Sequence, residues 1–476
     1  MRFSPGRPGL DLVYFLLGAI GLWGVRSVAA GEPCRIEVVE AGRGWPVPLV
    51  ELRTTHGVRL ITDNAGVAAF DLPELMGRET WLTVVGHGYG VGADGFGIEG
   101  LRFTPQAGGT FRLEVQRRMI ARRLGRLTGA GLFAESQRCG AVVEAAESGV
   151  VGCDSVQTAV YRGRLFWAWG DTTLARYPLG IFDMTGATTA VAPLASLEPP
   201  LRLSFAGFRD GQGVPRGIAK MPGAGPTWVS GLASLRDQAG GEHLVGTYIK
   251  VRNHLEAYQC GLCVWDEAAE QFRQERVVWT KSAEVPERPL VPEGHPARWT
   301  DAAGKAWLLL GNPFPHFRCV DSFEAWQDAA GWESLRPQES VAAAGGGGAV
   351  RPHSGSIAWN AWRKRWVTVF MEAKGKPSAF GELWYAEAPA PTGPWGPAVK
   401  VVSHRNYTFY NPRLHPEFTP EGSAVLLFEG TYTAEFADHA EVTPRWDYNQ
   451  VLYRLDLDDP ALSGAQGGVG EGGAAR

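Results

Sequence analysis

Apolar and polar residues alternate with a period of two along most of this chain, in short segments separated by Gly, Pro, Asn and Asp. The segment 150–173 shows the pattern most clearly. It predicts a hairpin with a first strand from about Ser155 to Tyr161, a turn at Arg162-Gly163 and a second strand from about Leu165 to Trp169. Because antiparallel partners fold back on each other, Asp154 and Asp171 are expected at one edge of the sheet. Two carboxylates at one rim are a candidate acid/base site.

Similar hairpins return at intervals of roughly 60–75 residues, which is typical of propeller blades. The four later hairpins are predicted near 227–252, 294–312, 353–372 and 410–432. A strand from upstream of Asp154 is expected to close the last blade, which would protect the sheet edges.

Each hairpin should bring polar side chains to one shared mouth. The residues expected at the strand starts are Asp154, His295, His353, Asn411 and His415. Those expected after the second strands are Asp171, Asn312, Glu372 and Glu429, with Glu256 just after the second hairpin. Trp169 offers a flat apolar face on which the ring of a ligand could pack. We therefore predict a shared central pocket.

The composition favours an all-β fold. The 476 residues include 62 Gly, 32 Pro and 18 Trp, and amphipathic helical stretches are few. The predicted architecture is a small immunoglobulin-like β-sandwich followed by a five-bladed β-propeller. The formal net charge of −4, with no long basic run, argues against a nucleic-acid partner. The oligomeric state is left open.

The N-terminal residues 1–30 are predicted to be a signal peptide. Arg2 and Arg7 precede an apolar segment from Leu12 to Val25, and Val28-Ala29-Ala30 offers small residues for cleavage near Gly31. The apolar run is too short to favour a membrane span, so no stable membrane insertion is expected after cleavage. We expect a secreted or periplasmic protein. The Gly-rich residues 461–476 are predicted to be a disordered tail.

The six cysteines leave disulfide pairing open, because connectivity does not follow from the sequence. Cys260 and Cys263 lie three apart on a predicted strand and so point to opposite faces, which favours buried structural thiols over a metal site. His295, His353 and His415 could converge on a metal ion, but hydrogen-bonding roles in the pocket are preferred. No metal and no cofactor are assigned.

Residues 34–116 consist of short alternating segments that predict a separate sandwich, and residues 117–149 a helical or irregular connector. The run 45–73 resembles the carboxypeptidase-regulatory-like module, in which a hairpin carries T-D-x-x-G-x-x-x-F. Here the motif stands as Thr62-Asp63-Asn64-Ala65-Gly66 to Phe70. Such modules are accessory, so the resemblance implies no chemistry here.

Residues 150–460 resemble the five-bladed propeller glycoside hydrolases, which include arabinanases, β-xylosidases and secreted propellers related to endo-D-arabinanases. The resemblance is carried by Asp154, by Gly163 to Thr172 (GRLFWAWGDT) and by the turn Pro391 to Trp395 (PTGPW). It implies a polysaccharide or oligosaccharide substrate, with a sugar ring expected on the face of Trp169, and an acidic triad. Asp154 matches the first carboxylate, while the third-blade aspartate of that triad has no clear counterpart.

The resemblance leaves the other catalytic positions open. Asp171 stands where the arabinanase-related group has its Gly-Asp-Thr aspartate, and the acid is expected among Glu256, Glu372 and Glu429. We expect Asp154 to be ionised and Glu429, after an apolar run, to carry the proton. The chain is thus predicted to be an exported glycoside hydrolase. The alternative is a non-catalytic carbohydrate- or protein-binding propeller.

Overall fold

The computed structural model describes residues 31–144, 146–253, 255–404, 407–437 and 447–466, with the backbone alone at 177–179. The predicted signal peptide and residues 467–476 of the predicted tail lie outside these ranges. Residues 461–466 of that tail belong to a short 3₁₀ helix instead, Pro460–Gln466.

The N-terminal part is a sandwich of two sheets. One sheet has the strand order Val67–Phe70, Cys34–Glu40, Thr110–Arg117 and Tyr89–Gly90; the other has Arg59–Ile61, Glu51–Thr54, Thr80–Val85 and Gly100–Phe103. Alternate residues of both sheets, among them Ile36, Leu52 and Leu82, share one buried apolar core. The likeness of this sandwich to the carboxypeptidase-regulatory-like module stays a prediction.

Within the described ranges, five four-stranded antiparallel sheets form the blades of a propeller, which confirms the predicted all-β fold class. From the innermost strand outward, blade one has Val156–Tyr161, Arg164–Trp169, Thr185–Ala190 and Ala206–Gly207; blade two has Thr227–Arg236, Glu242–Arg252, Glu256–Asp266 and Gln271–Thr280; blade three has His295–Thr300, Ala306–Gly311, Pro315–Val320 and Glu333–Ser334; blade four has Pro352–Asn360, Arg365–Glu372, Glu382–Ala388 and Val399–Ser403; blade five has Thr408–Leu414, Val425–Thr433, Asn449–Asp456 and Arg122–Arg126.

The blades form a closed ring. The innermost strands of successive blades contact one another from blade one to blade five. Blade five returns to blade one, since the backbone N–H of Ser155 donates to Thr431 Oγ1 at 2.8 Å. The fourth strand of blade five, Arg122–Arg126, comes from upstream of blade one, as predicted. It lies in the segment predicted to be a helical or irregular connector.

The closing strand is also held by the sandwich. The buried Arg123 guanidinium donates to the backbone carbonyls of Pro48 and Gly86 at 3.0 and 2.7 Å. The Asn64 side chain exchanges two hydrogen bonds with the backbone of Arg126, at 2.8 and 2.9 Å. Because buried polar groups need such partners, the sandwich completes the hydrogen bonding of the strand that closes the ring.

The remaining elements are short. Two small sheets consist of Gly152–Cys153, Thr172–Leu174 and Tyr177–Ile181, and of Val341–Ala342 and Ala349–Val350. The helical turns are α-helices Ala134–Arg138 and Phe323–Gln327 and 3₁₀ helices Leu194–Leu197, Ala329–Gly331, Ala344–Gly346 and Pro416–Phe418. No helix among the described residues is long and apolar enough to span a bilayer.

All six cysteines lie within the described ranges, and none of them forms a disulfide there. Cys260 and Cys263 are both buried, at 1% and 0% exposure. Their prediction as buried structural thiols is therefore confirmed.

Candidate active site

The first hairpin has the register that the sequence predicts. Val156 pairs with Trp169 and Tyr161 with Arg164, so the chain turns at 162–163. The backbone N–H of Asp154 donates to the carbonyl of Asp171 at 3.2 Å. The two aspartates therefore lie side by side at the edge where the innermost strands of the blades begin, here called the mouth.

Asp154 is held by two tyrosines that follow it by more than 250 positions. The Tyr410 hydroxyl donates to Asp154 Oδ2 at 3.0 Å, and the Tyr448 hydroxyl is a second hydrogen-bond partner. Burial and, after it, the negative charge of Asp171 raise the pKa of Asp154 to about 6, although both tyrosine hydrogen bonds oppose the change. Asp154 therefore retains a proton to a higher pH than an ordinary aspartate.

Asp171 has a different environment. The indole Nε1 of Trp228, at the start of blade two, donates to Asp171 Oδ1 at 2.9 Å. Burial raises the pKa of Asp171, and this hydrogen bond opposes the rise. The charge of Asp171 in turn raises the pKa of Asp154. Asp171 is thus the first of the pair to ionise, and Asp154 is the partner that keeps its proton to the higher pH, up to about pH 6.

Two more carboxyl groups at the mouth were not among the residues predicted from the sequence. Burial raises the pKa of Glu435, and the charges of Asp447 and Asp171 raise it further. Asp447 Oδ1 accepts from the backbone N–H of Ala434 at 2.7 Å, and burial raises its pKa as well. Glu435 comes just after the second strand of blade five and Asp447 just before the third, so both lie at the same edge of the sheet. That topology was the signal available in the sequence.

Glu429 and His415 do not reach the mouth. Both side chains are buried in blade five, where His415 Nε2 and Glu429 Oε1 lie 2.9 Å apart. On its other side, His415 Nδ1 lies 2.9 Å from Glu417 Oε1. Burial alone lowers the pKa of a histidine, but the charges of Glu417 and Glu429 outweigh it and raise the pKa of His415. The expectation that Glu429 donates a proton to substrate is therefore corrected.

The error has a local cause in the innermost strand of blade five. That strand begins at Thr408 and is interrupted between Tyr410 and Arg413, where Asn411 has a positive φ of 52°. Asn411 Nδ2 donates to Ser155 Oγ at 2.6 Å and so bridges blades five and one. His415 comes after the end of the strand, far from the mouth.

The other two predicted glutamates have fixed partners. Glu256 forms ion pairs with Lys281 at 2.9 Å and Arg252 at 3.7 Å. The hydrogen bond from Lys281 lowers the pKa of Glu256, so this side chain is ionised and is not a proton donor. Glu372 Oε2 accepts from Trp384 Nε1 at 2.8 Å at the end of the second strand of blade four.

The predicted substrate-binding residues divide into two groups. Exposed side chains at the strand ends are His353, whose ring packs on Phe380, and Asn312, whose Oδ1 accepts from the Gly355 N–H at 2.8 Å. His295 is buried, and burial followed by the charges of Arg413 and His415 lowers its pKa to about 3.

Trp169 belongs to the core. Its side chain is 0% exposed and stacks on Trp167 with ring centroids 6.3 Å apart. The prediction that Trp169 binds a sugar ring is corrected, because the indole has no accessible face.

A shared histidine metal site is not formed by His295, His353 and His415. Among the described residues, no group of three or more His, Cys, Asp or Glu side chains is arranged to hold a metal ion.

No known family model matches this sequence, and no curated protein is similar to it in sequence. Solved structures with a similar course of the chain include an exo-1,5-α-L-arabinanase from a bovine ruminal metagenomic library, with 10% identity, coverage of 65% of this chain and 95% of that one, and a TM-score of 0.37. A putative exo-β-1,3-galactanase from Bifidobacterium bifidum has 11% identity, coverage of 65% and 89%, and a TM-score of 0.40. The arabinanase of Bacillus subtilis has 10% identity, coverage of 63% and 93%, and a TM-score of 0.33. The five blades and the site are defined by the strand pairing and the hydrogen bonds described above, independently of these similarities.

Proposed function

We propose that this protein is an exported glycoside hydrolase that cleaves a polysaccharide or oligosaccharide at the mouth of the propeller. The observation that carries the proposal is the pairing of Asp154, with its pKa raised to about 6, and Asp171, which ionises first. Glycosidic bond hydrolysis needs one protonated and one ionised carboxyl group. In this assignment Asp154 donates the proton to the leaving oxygen, and Asp171 acts as base or nucleophile.

This assignment reverses the roles expected from the sequence, in which Asp154 was the ionised group. The reason is the greater burial around Asp154, which penalises its charge. Tyr410 and Tyr448 orient the Asp154 carboxyl group, and Trp228 orients that of Asp171. The partly exposed indole of Trp228 also offers a flat face beside the reacting carboxylate, on which a sugar ring can pack.

The test is release of reducing ends from a panel of neutral and acidic polysaccharides by the purified protein. Asp154→Asn and Asp171→Asn should each lower turnover by orders of magnitude. Glu421→Gln is the matched control, because that exposed carboxylate lies in the turn at the far end of blade five. Full activity of either aspartate variant on a substrate that the wild type cleaves would contradict the proposal.

A non-catalytic carbohydrate-binding propeller is the second candidate. The observation in its favour is that blade three presents Asn312 at the mouth, where its side chain is engaged with the Gly355 N–H, instead of a carboxylate. Glycan binding by the wild-type protein without any release of reducing ends would support this alternative.

Export is proposed from the apolar segment between Leu12 and Val25 and the small residues before Gly31. Expression of the full chain, followed by N-terminal sequencing of the protein outside the cytoplasm, should give a mature start near Gly31. Recovery of the intact chain in the cytoplasm alone would contradict export.

A further inference from the structure

A cavity of about 440 Å³ lies beside the mouth, between the loops of blades one and two. Residues that line it include Phe182, Asp183, Gly217, Lys220, Gly225 and Pro226. The cavity adjoins the aspartate pair, because the backbone N–H of Thr227 donates to the carbonyl of Phe182 at 3.3 Å. The next residue, Trp228, is the one that hydrogen-bonds Asp171.

The walls of this cavity are fixed by buried hydrogen bonds. The ammonium group of Lys250, which is 1% exposed, donates to the Gly225 carbonyl at 2.8 Å and to Thr227 Oγ1 at 3.1 Å. On the opposite wall, the Asp183 carbonyl accepts from the backbone N–H of Ala219 at 2.9 Å. The cavity is therefore preformed, which lowers the entropy cost of binding a ligand.

Three side chains in this cavity are open to a ligand. The Asp183 side chain is partly exposed, and its Oδ1, which is itself buried, has no hydrogen-bond partner among the described residues. Lys220 is exposed, and its ammonium group makes no hydrogen bond or ion pair within the described part of the chain. The Phe182 ring is 41% exposed. Together they offer a hydrogen-bond acceptor, a donor and an apolar face, which match the hydroxyl groups and the C–H face of one sugar ring.

We propose that this cavity is a second sugar-binding subsite, which takes a neutral sugar of the same chain that is cleaved at the Asp154–Asp171 pair. This inference rests on the proposed function and deepens it. The sugar hydroxyls donate to Asp183 and accept from Lys220, while the ring packs on Phe182. Neutral sugars fit best, because Asp171 and Asp183 both repel a uronic acid in this region. The substrate is then an oligosaccharide or polysaccharide, and occupancy of two subsites aligns it for cleavage.

The test compares Asp183→Asn and Lys220→Met with the matched controls Glu421→Gln and Lys364→Met, which lie on exposed turns away from the mouth. Each change is made in the wild type and in Asp154→Asn. The probe is an array of neutral, uronic-acid-containing and amino-sugar oligosaccharides of increasing length. Affinity for Asp154→Asn is measured by titration calorimetry, and kcat/KM is measured in the active background. Thermal unfolding checks that every variant is folded.

Asp183→Asn and Lys220→Met should each weaken binding of the longer neutral oligosaccharides by about ten-fold or more, since the first replaces a charged acceptor by a neutral one and the second removes a charged donor. The shortest ligands and the two controls should be unaffected. Equal affinities of Asp183→Asn and the control for every length would overturn the subsite, and so would tightest binding of acidic or amino sugars.

The failure of the subsite is distinguishable from failure of the proposed function. Loss of turnover in Asp154→Asn with no effect of Asp183→Asn would leave the hydrolase and remove the subsite. Binding that depends on Asp183 in a wild-type protein without turnover would support the subsite and contradict hydrolysis. A wild-type protein that neither binds nor cleaves any glycan of the array would overturn both.

Discussion

Replacing Asp154 by Asn should stabilise the folded protein at alkaline pH while abolishing activity. The pKa of Asp154 rises from 3.8 to about 6 on folding, chiefly through burial and then through the charge of Asp171. A carboxyl group whose pKa is raised by folding opposes folding once it is ionised. This loss of folding stability is absent below about pH 4, grows between about pH 4 and 6, and is complete above about pH 6.

The size of the effect follows from the pKa difference of about two pH units, which corresponds to about 3 kcal/mol in the free energy of unfolding. Asn keeps the shape of the side chain and does not titrate. Its amide oxygen can still accept from Tyr410, which retains part of the hydrogen bonding. We therefore expect the free energy of unfolding of Asp154→Asn to exceed that of the wild type by about 1–3 kcal/mol at pH 8 and by close to nothing at pH 4.

The assay is urea unfolding of both proteins at pH 4 and pH 8, followed by tryptophan fluorescence. Glu256→Gln is the control of opposite sign, because the hydrogen bond from Lys281 lowers the pKa of Glu256. That variant should gain no stability at pH 8. If the free energies of unfolding of Asp154→Asn and the wild type differ by the same amount at both pH values, the pKa of Asp154 is not raised. That result would also refute the role of Asp154 as the proton donor.

Three further substitutions separate the site from the core. Tyr410→Phe removes a hydrogen bond that lowers the pKa of Asp154, so the alkaline limb of the pH profile of kcat/KM should move to higher pH; an unmoved limb would contradict this. Glu429→Gln breaks the buried pair with His415, so urea unfolding should show a loss of about 3–5 kcal/mol, with activity per folded molecule retained. Trp169→Ala should also cost about 3–5 kcal/mol, through the cavity that it leaves; lost glycan affinity without lost stability would instead place Trp169 at the ligand.

The blades could be predicted from the sequence because a period of two and a turn signal specify a hairpin and its register together. In blade one the turn at 162–163 places Val156 opposite Trp169, and that pairing alone brings Asp154 beside Asp171. A slip of one residue would move every apolar side chain of the strand to the wrong face, so burial enforces the register.

Blade five could not be read in the same way. The apolar and polar alternation around Asn411 continues through a point where the strand is interrupted and the backbone adopts a positive φ. The prediction began the innermost strand of blade five at the wrong residue, so it placed His415 at the mouth. It also left out Tyr410, which hydrogen-bonds Asp154. Asn411-Pro412 is a turn signal in the local sequence, but the hydrogen bond that fixes the break goes to Ser155 of another blade, which the local sequence does not show.

The roles of the two aspartates depend on the same long-range contacts. Local sequence favours an ionised Asp154, because it precedes a strand beside a serine and near backbone donors. In the folded ring Tyr410 and Tyr448 from blade five cover it, whereas Asp171 receives a strong donor from Trp228 of blade two. Asp154, the carboxyl group that the neighbouring blade desolvates, therefore retains its proton to the higher pH. Which acid of a propeller hairpin is the donor is decided by ring closure, and so by residues hundreds of positions away from the hairpin itself.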